Sequence, residues 1–157
     1  MNRISSIVAI VARLFLGGMM VLGSFEKFKP SPTPQEVAAK AQKFTDPEKE
    51  EILEKVLYIS GMKQTGYAWQ VVGACELIFG LMLIFQFTAL VGAILLIPVT
   101  FHIFAFHLFL EPDETGELIL TGLLFAVNLF LILREAPRWK HLLWIHPLRK
   151  NTGGTTG

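Results

Sequence analysis

Two charged side chains stand where charges are rarely tolerated. Arg13 lies near the midpoint of an apolar run from Ile4 to Leu22, and Glu76 near the midpoint of a second run, Tyr67 to Phe87. If both runs cross a bilayer, each charge costs about 2.5–3.5 kcal/mol on insertion scales. Opposite charges at one depth on neighbouring helices offset that cost, so the sequence predicts an Arg13–Glu76 ion pair. Two later apolar runs carry polar groups near the same level: Thr100 and His102 in one, Asn128 in the other. In a four-helix bundle such groups converge on the core.

Two kinds of chemistry fit this set. The plain one is a polar network that fixes helix register, with Asn128 as interhelical hydrogen-bond glue and His102 as a hydrogen-bonded interior residue. The sharper one is a binding site. There His102 or Glu76, the candidate catalytic residues, would handle a proton, and Arg13 would hold Glu76 or an anionic oxygen. Glu26, Lys27 and His107 are candidates for the mouth of such a cavity, although Glu26 and Lys27, flanked by Phe25 and Phe28, also suit plain interfacial anchoring. His102 and His107 are five residues apart, about 140° round a helix, which is poor spacing for a shared metal. No metal site is expected. Cys75 is the only cysteine. It excludes an internal disulfide and a CxxC relay, and a small buried hydrophobe is its ordinary role.

The elements that would position these groups are all helical. Charged residues make up 17% of the 157-residue chain and hydrophobic residues 52%, against about 25% charged in a soluble domain. The expected fold is an all-α four-helix transmembrane bundle, a single integral domain over residues 1–150, followed by a disordered tail at 151–157. The spans are expected at about 3–25, 67–87, 88–110 and 117–134. Arg13 interrupts the first run, and its length of about 20 residues suits a span better than a signal peptide. Gly17, Gly18 and Gly23 on the first span, and Gly73 and Gly80 flanking Glu76 on the second, are close-packing sites. Pro98 should kink the third span and free a carbonyl.

Between the first two spans lies a long segment expected to hold two extramembrane amphipathic helices over residues 33–60. Thr33, Pro34 and Glu36 form the signature of a capping box. Ile52, Leu53, Val56 and Leu57 mark one face of the second helix, and Gly61 is expected to end it. Basic and acidic residues are balanced here, which favours a solvated face over an anionic-lipid anchor. Four spans put both termini on one side. Arg3 and the tail cations Arg134, Arg138, Lys140, Arg149 and Lys150 make that side cytoplasmic by the positive-inside rule. A net charge of +1 and the lack of a Gly-rich phosphate loop give no sign of nucleic-acid binding.

Arg13-Leu-Phe-Leu-Gly17, followed by Gly23-x-x-x-Lys27-Phe28, resembles the first helix of the DoxX family of small bacterial membrane proteins. Glu76-x-x-x-Gly80-Leu-Met-Leu83 resembles that family's second helix. The resemblance runs from Arg3 to about Arg134. It implies a four-helix bundle in the cell inner (plasma) membrane, associated with oxidoreductases. Some members resemble subunits of quinone-reducing complexes, others associate with redox-defence partners, and distant relatives act as assembly factors without catalysis. On that basis the expected function is a subunit or partner of a membrane oxidoreductase, with a mid-bilayer site for a quinone-like molecule. The bilayer and a membrane or soluble redox protein are the expected partners. The alternative is a non-catalytic scaffold or assembly factor. A transporter is disfavoured by the lack of an internal repeat.

Overall fold

The computed structural model describes residues 3–43, 50–137 and 139. The tail expected to be disordered lies outside them, as does most of the basic tail. Every regular element among the described residues is a helix. Helix α1 spans Arg3–Phe25 and runs into a 3-10 turn at Glu26–Phe28. It is followed by α2 (Pro34–Gln42), α3 (Glu50–Gln64), α4 (Ala68–Ile84), α5 (Ala89–Leu110) and α6 (Thr115–Arg134). The protein is an all-helical bundle, built mainly from α1, α4, α5 and α6.

Among the described residues, three helices are long and apolar enough to cross a membrane: α1 with its 3-10 extension, α5 and α6. The α4 helix has 17 residues. It passes the same test only together with α3, to which it is joined by an 85° bend. The outward faces carry large apolar side chains, among them Ile4, Val11, Ile78, Val91, Phe101, Phe109, Ile119 and Leu133. A surface of that kind is stable only against lipid or another apolar body. The chain is a multi-pass membrane protein.

The bundle is organised on α4, which packs against α1 on one side and α5 on the other. Its buried residues, Gly73, Glu76, Gly80 and Leu83, recur at helical spacing on one stripe. A Cβ on Gly17 would stand 2.8 Å from the Gly80 carbonyl oxygen, and one on Gly80 would stand 3.0 Å from that of Gly17. The two backbones therefore touch, and only glycine fits at either position. Gly92 does the same for α5 against α4, where a Cβ would meet Met82 Cβ at 2.8 Å. Gly18 and Gly23 face open space, so of the three glycines expected to pack on the first span only Gly17 does.

Helix α5 runs unbroken through Pro98, although Pro98 has no N–H to give its ladder. Asn128 on α6 is fully buried beside this point. The amide orientation that satisfies both of its ends donates from Nδ2 to the Ala93 carbonyl at 3.1 Å. Its Oδ1 accepts from the Ile97 N–H at 3.2 Å and from the Thr100 hydroxyl at 3.0 Å. One side chain thus meets the backbone of α5 where the proline has weakened it.

The capping box forms at α2: Thr33 Oγ1 accepts from the Glu36 N–H, and Glu36 accepts from the Thr33 N–H at 2.7 Å. Helix α3 does not end at Gly61. It continues to Gln64, and the chain turns at Gly66, the only described non-helical φ above zero, at +79°. Thr65 Oγ1 then accepts from the Ala68 N–H at 2.9 Å and starts α4. The sharp bend between α3 and α4 lies at this turn, and it folds α3 back over the outer half of α5.

Candidate functional site

The expected Arg13–Glu76 pair does not form. Glu76 is 1% exposed, and its Oε2 accepts from Lys27 Nζ at 2.8 Å. The reason is register. Gly17 meets Gly80 and Ile84 across the α1–α4 seam, and Gly73 meets Ser24, Lys27 and Phe28. The antiparallel helices therefore place Glu76 near the end of α1 and Arg13 near the end of α4. The offset is about two helical turns, roughly 12 Å at 1.5 Å per residue. Equal depth for Arg13 and Glu76 requires the two spans to be centred on one another. With α1 at 23 residues and α4 at 17, they are not.

Lys27 reaches Glu76 because α4 lacks a side chain where the lysine crosses it. A Cβ on Gly73 would lie 2.7 Å from Lys27 Cβ. The lysine side chain is 15% exposed and the glutamate side chain 2%, so the cation sits at the rim and the anion beneath it. Glu76 Oε1 is buried and has no hydrogen-bond partner. Lys27 Nζ also lies 5.3 Å from the centre of the Trp69 ring, with Lys63 Nζ 5.1 Å from it, both within cation–π range.

His102 is not an interior residue. It faces outward from α5, and its Nε2 lies 2.9 Å from the hydroxyl of Tyr58 on α3. The Tyr58 ring is tilted against both His102 and Phe106, at 6.0 and 5.7 Å between centres. One turn beyond, His107 Nδ1 stands 2.6 Å from Glu111 Oε2. This is a close electrostatic contact without hydrogen-bond alignment. Lys55 of α3 pairs with the same carboxylate. These contacts hold α3 on α5, and between them they leave a pocket of about 150 Å³. It is lined by Lys27, Tyr58, Trp69, His102, Phe106 and His107, with Ile59, Met62, Val72 and Ile103. The Trp69 Nε1 donor has no acceptor.

The sequence candidates therefore divide. Lys27, Glu76, His102 and His107 gather at or just beneath this mouth. Thr100 and Asn128 are linked to each other in the core, away from it. Glu26 is turned to the surface, where it pairs with Lys29 at 2.6 Å, so it is not part of the mouth. Arg13 lines a separate cavity. Tyr58 was not singled out from sequence, because the amphipathic reading of its helix followed the aliphatic residues. Trp69 was not singled out as a site residue either. The signal that could have found both is the tight Thr65–Gly66 turn, which forces α3 back onto the bundle. Among the described residues, no group of three or more histidine, cysteine or acidic side chains is placed to hold a metal ion.

The family model for DoxX matches residues 8–108, nearly all of α1 through α5. The chain belongs to the DoxX family. No curated protein and no solved structure matches it. The matched region includes both halves of the Lys27–Glu76 pair and the pocket above it.

Proposed function

We propose that this DoxX protein is the membrane-embedded partner or subunit of an oxidoreductase, and that its α3-covered pocket receives the headgroup of a quinone-like, lipid-soluble molecule. The carrying observation is the combination in one small cavity of a cation backed by a buried carboxylate, a Tyr58–His102 pair and aromatic walls. A cavity of about 150 Å³ suits one ring and leaves an apolar tail to the bilayer. Lys27 Nζ and the unpaired Trp69 N–H are donors for a ring carbonyl. Reducing a quinone to a quinol takes two electrons and two protons. With a single cysteine the chain forms no dithiol pair, so in this reading the electrons come from a partner protein. Tyr58 and His102 carry O–H and N–H groups at the pocket, and Glu76 orients Lys27. The side bearing the termini is taken as cytoplasmic and the membrane as the inner (plasma) membrane, in keeping with Arg3 and the basic tail.

The test is a titration of the detergent-purified protein with a short-tailed benzoquinone, followed by tryptophan fluorescence. Saturable quenching that disappears in Trp69→Phe, and an affinity lowered roughly fivefold by His102→Gln or Tyr58→Phe, is expected for one lost hydrogen bond. Absence of saturable quenching would remove the reading. A second reading, a non-catalytic scaffold, is favoured by the groove of about 380 Å³ between α2 and α3. It is lined by Val37, Lys40, Lys55 and Ile59 among others, and Ile52 and Leu57 are exposed on α3. Under that reading, surface substitutions on α2 and α3 abolish partner co-purification while quinone binding is absent.

A further inference from the structure

At the opposite end of the bundle from the quinone pocket is a cavity of about 350 Å³. It lies between the first half of α1, the α4–α5 turn and the end of α6. Its polar lining consists of Arg13, Arg134, Ser6, Gln86 and Glu135. Arg134 Nη2 lies 3.5 Å from the Ser6 hydroxyl, and Nη1 lies 3.7 Å from a Glu135 oxygen. Neither guanidinium is satisfied: the Nε atoms of both Arg13 and Arg134 are buried without an acceptor, and among the described residues Arg13 has no carboxylate partner. Among the described residues, two guanidinium groups and one carboxylate line a site walled by Ile10, Leu83, Leu90, Ala93 and Leu131. Guanidinium N–H groups withdrawn from water in this way call for an anion or a water molecule.

We infer that this cavity binds a phosphate monoanion presented by an anionic phospholipid, between Arg13 and Arg134. A guanidinium offers parallel N–H donors that match two phosphate oxygens, and here the Nε donors are the vacant ones. A phosphodiester carries one negative charge, opposite in sign to the two arginines. The surround favours a lipid over a soluble ion: Phe87 at the rim is fully exposed, and Ile7, Ile10 and Val11 of α1 lie exposed beside it. Helix α1 packs closely on α4 and far less on α6, so the gap between α1 and α6 is the route for the acyl chains. The inference is independent of the quinone reading, because it uses none of the same residues.

Native mass spectrometry of the full chain in nonionic detergent tests it, with phosphatidylglycerol, phosphatidylcholine and inorganic phosphate as separate probes. Phosphatidylglycerol is expected to bind at one saturable site, roughly tenfold more tightly than phosphatidylcholine. Arg13→Lys and Arg134→Lys keep the charge but lose the fork, and each is expected to weaken binding roughly fivefold. Lys29→Gln, a surface cation at the other end, should change nothing. Displacement of the lipid by millimolar inorganic phosphate supports the oxyanion site and makes the free ion its occupant. Equal affinity for the two lipids overturns the inference. So does unchanged phosphatidylglycerol affinity in Arg134→Lys, whose partly exposed position at a helix end keeps the variant foldable should Arg13→Lys fail.

Discussion

Helix α1 and the 3-10 turn that extends it carry cations at two levels, Arg13 and Lys27, and the two have opposite surroundings. At one end Lys27 lies over a seam where α1 and α4 touch backbone to backbone, and it finds a buried carboxylate. At the other, Arg13 faces a gap where α1 draws away from α6, and it finds a second arginine. Small residues make the difference. Gly17, Gly73 and Gly80 let α4 close on α1, whereas the residues of α1 and α6 at the gap leave a cavity. Close packing pairs a charge within the chain. A gap leaves it for a ligand.

The contrast is broken most sharply at Lys27. Lys27→Ala strands Glu76 in the core and is expected to cost about 3 kcal/mol or more, the usual cost of removing one partner from a buried ion pair. Glu76→Ala should cost less, because Lys27 is at the rim and keeps its Trp69 contact. Arg13→Ala should cost least of the three, because it strands no carboxylate. Thermal unfolding in one detergent ranks them, and a reversed order of Lys27→Ala and Arg13→Ala would mean that the pairing is wrong. The seam itself comes next. Gly17→Ala forces a Cβ against the Gly80 carbonyl and should lose about 1–3 kcal/mol by overpacking. Gly18→Ala, one residue away and facing open space, should be neutral or slightly stabilising.

In the core, Asn128→Leu removes the amide that joins α6 to Ala93, Ile97 and Thr100. An expected loss of about 1–2 kcal/mol follows from hydrogen bonds of this type in membrane helices, read as a lower unfolding midpoint with unchanged helical content. The smallest effect lies outside the bundle. The Thr33 backbone N–H and then its hydroxyl hold the Glu36 carboxyl below the ordinary glutamate value. A depressed folded-state value means that the capping box contributes in full above the unfolded value and is lost as the pH falls through the folded one. Amide exchange at the first turn of α2 should therefore quicken in acid, and Glu36→Gln should remove that pH dependence.

The polar residues most visible in the sequence were assigned to one level of the bundle, and the structure separates them. Asn128 and Thr100 do meet in the core, because both lie on buried faces of consecutive helices joined by a short turn. Arg13 and Glu76 do not, because a long connection joins their helices and leaves the register free. His102 sits in an apolar run, yet it points to the outer face of α5, where Tyr58 of α3 meets it. Periodicity was weak there, since the helix is apolar on every side.

The helices, their approximate ends, the capping box and the membrane character follow from local properties: runs of apolar residues, prolines, and side chains that bond their own backbone. One sequence is enough to read them, because each depends on neighbours along the chain. Which cation meets Glu76, where Tyr58 lands and which arginines share a cavity depend on how far one helix slides along another. That offset is set by a few glycine contacts between distant segments and by one sharp bend after α3, and only the folded chain fixes it.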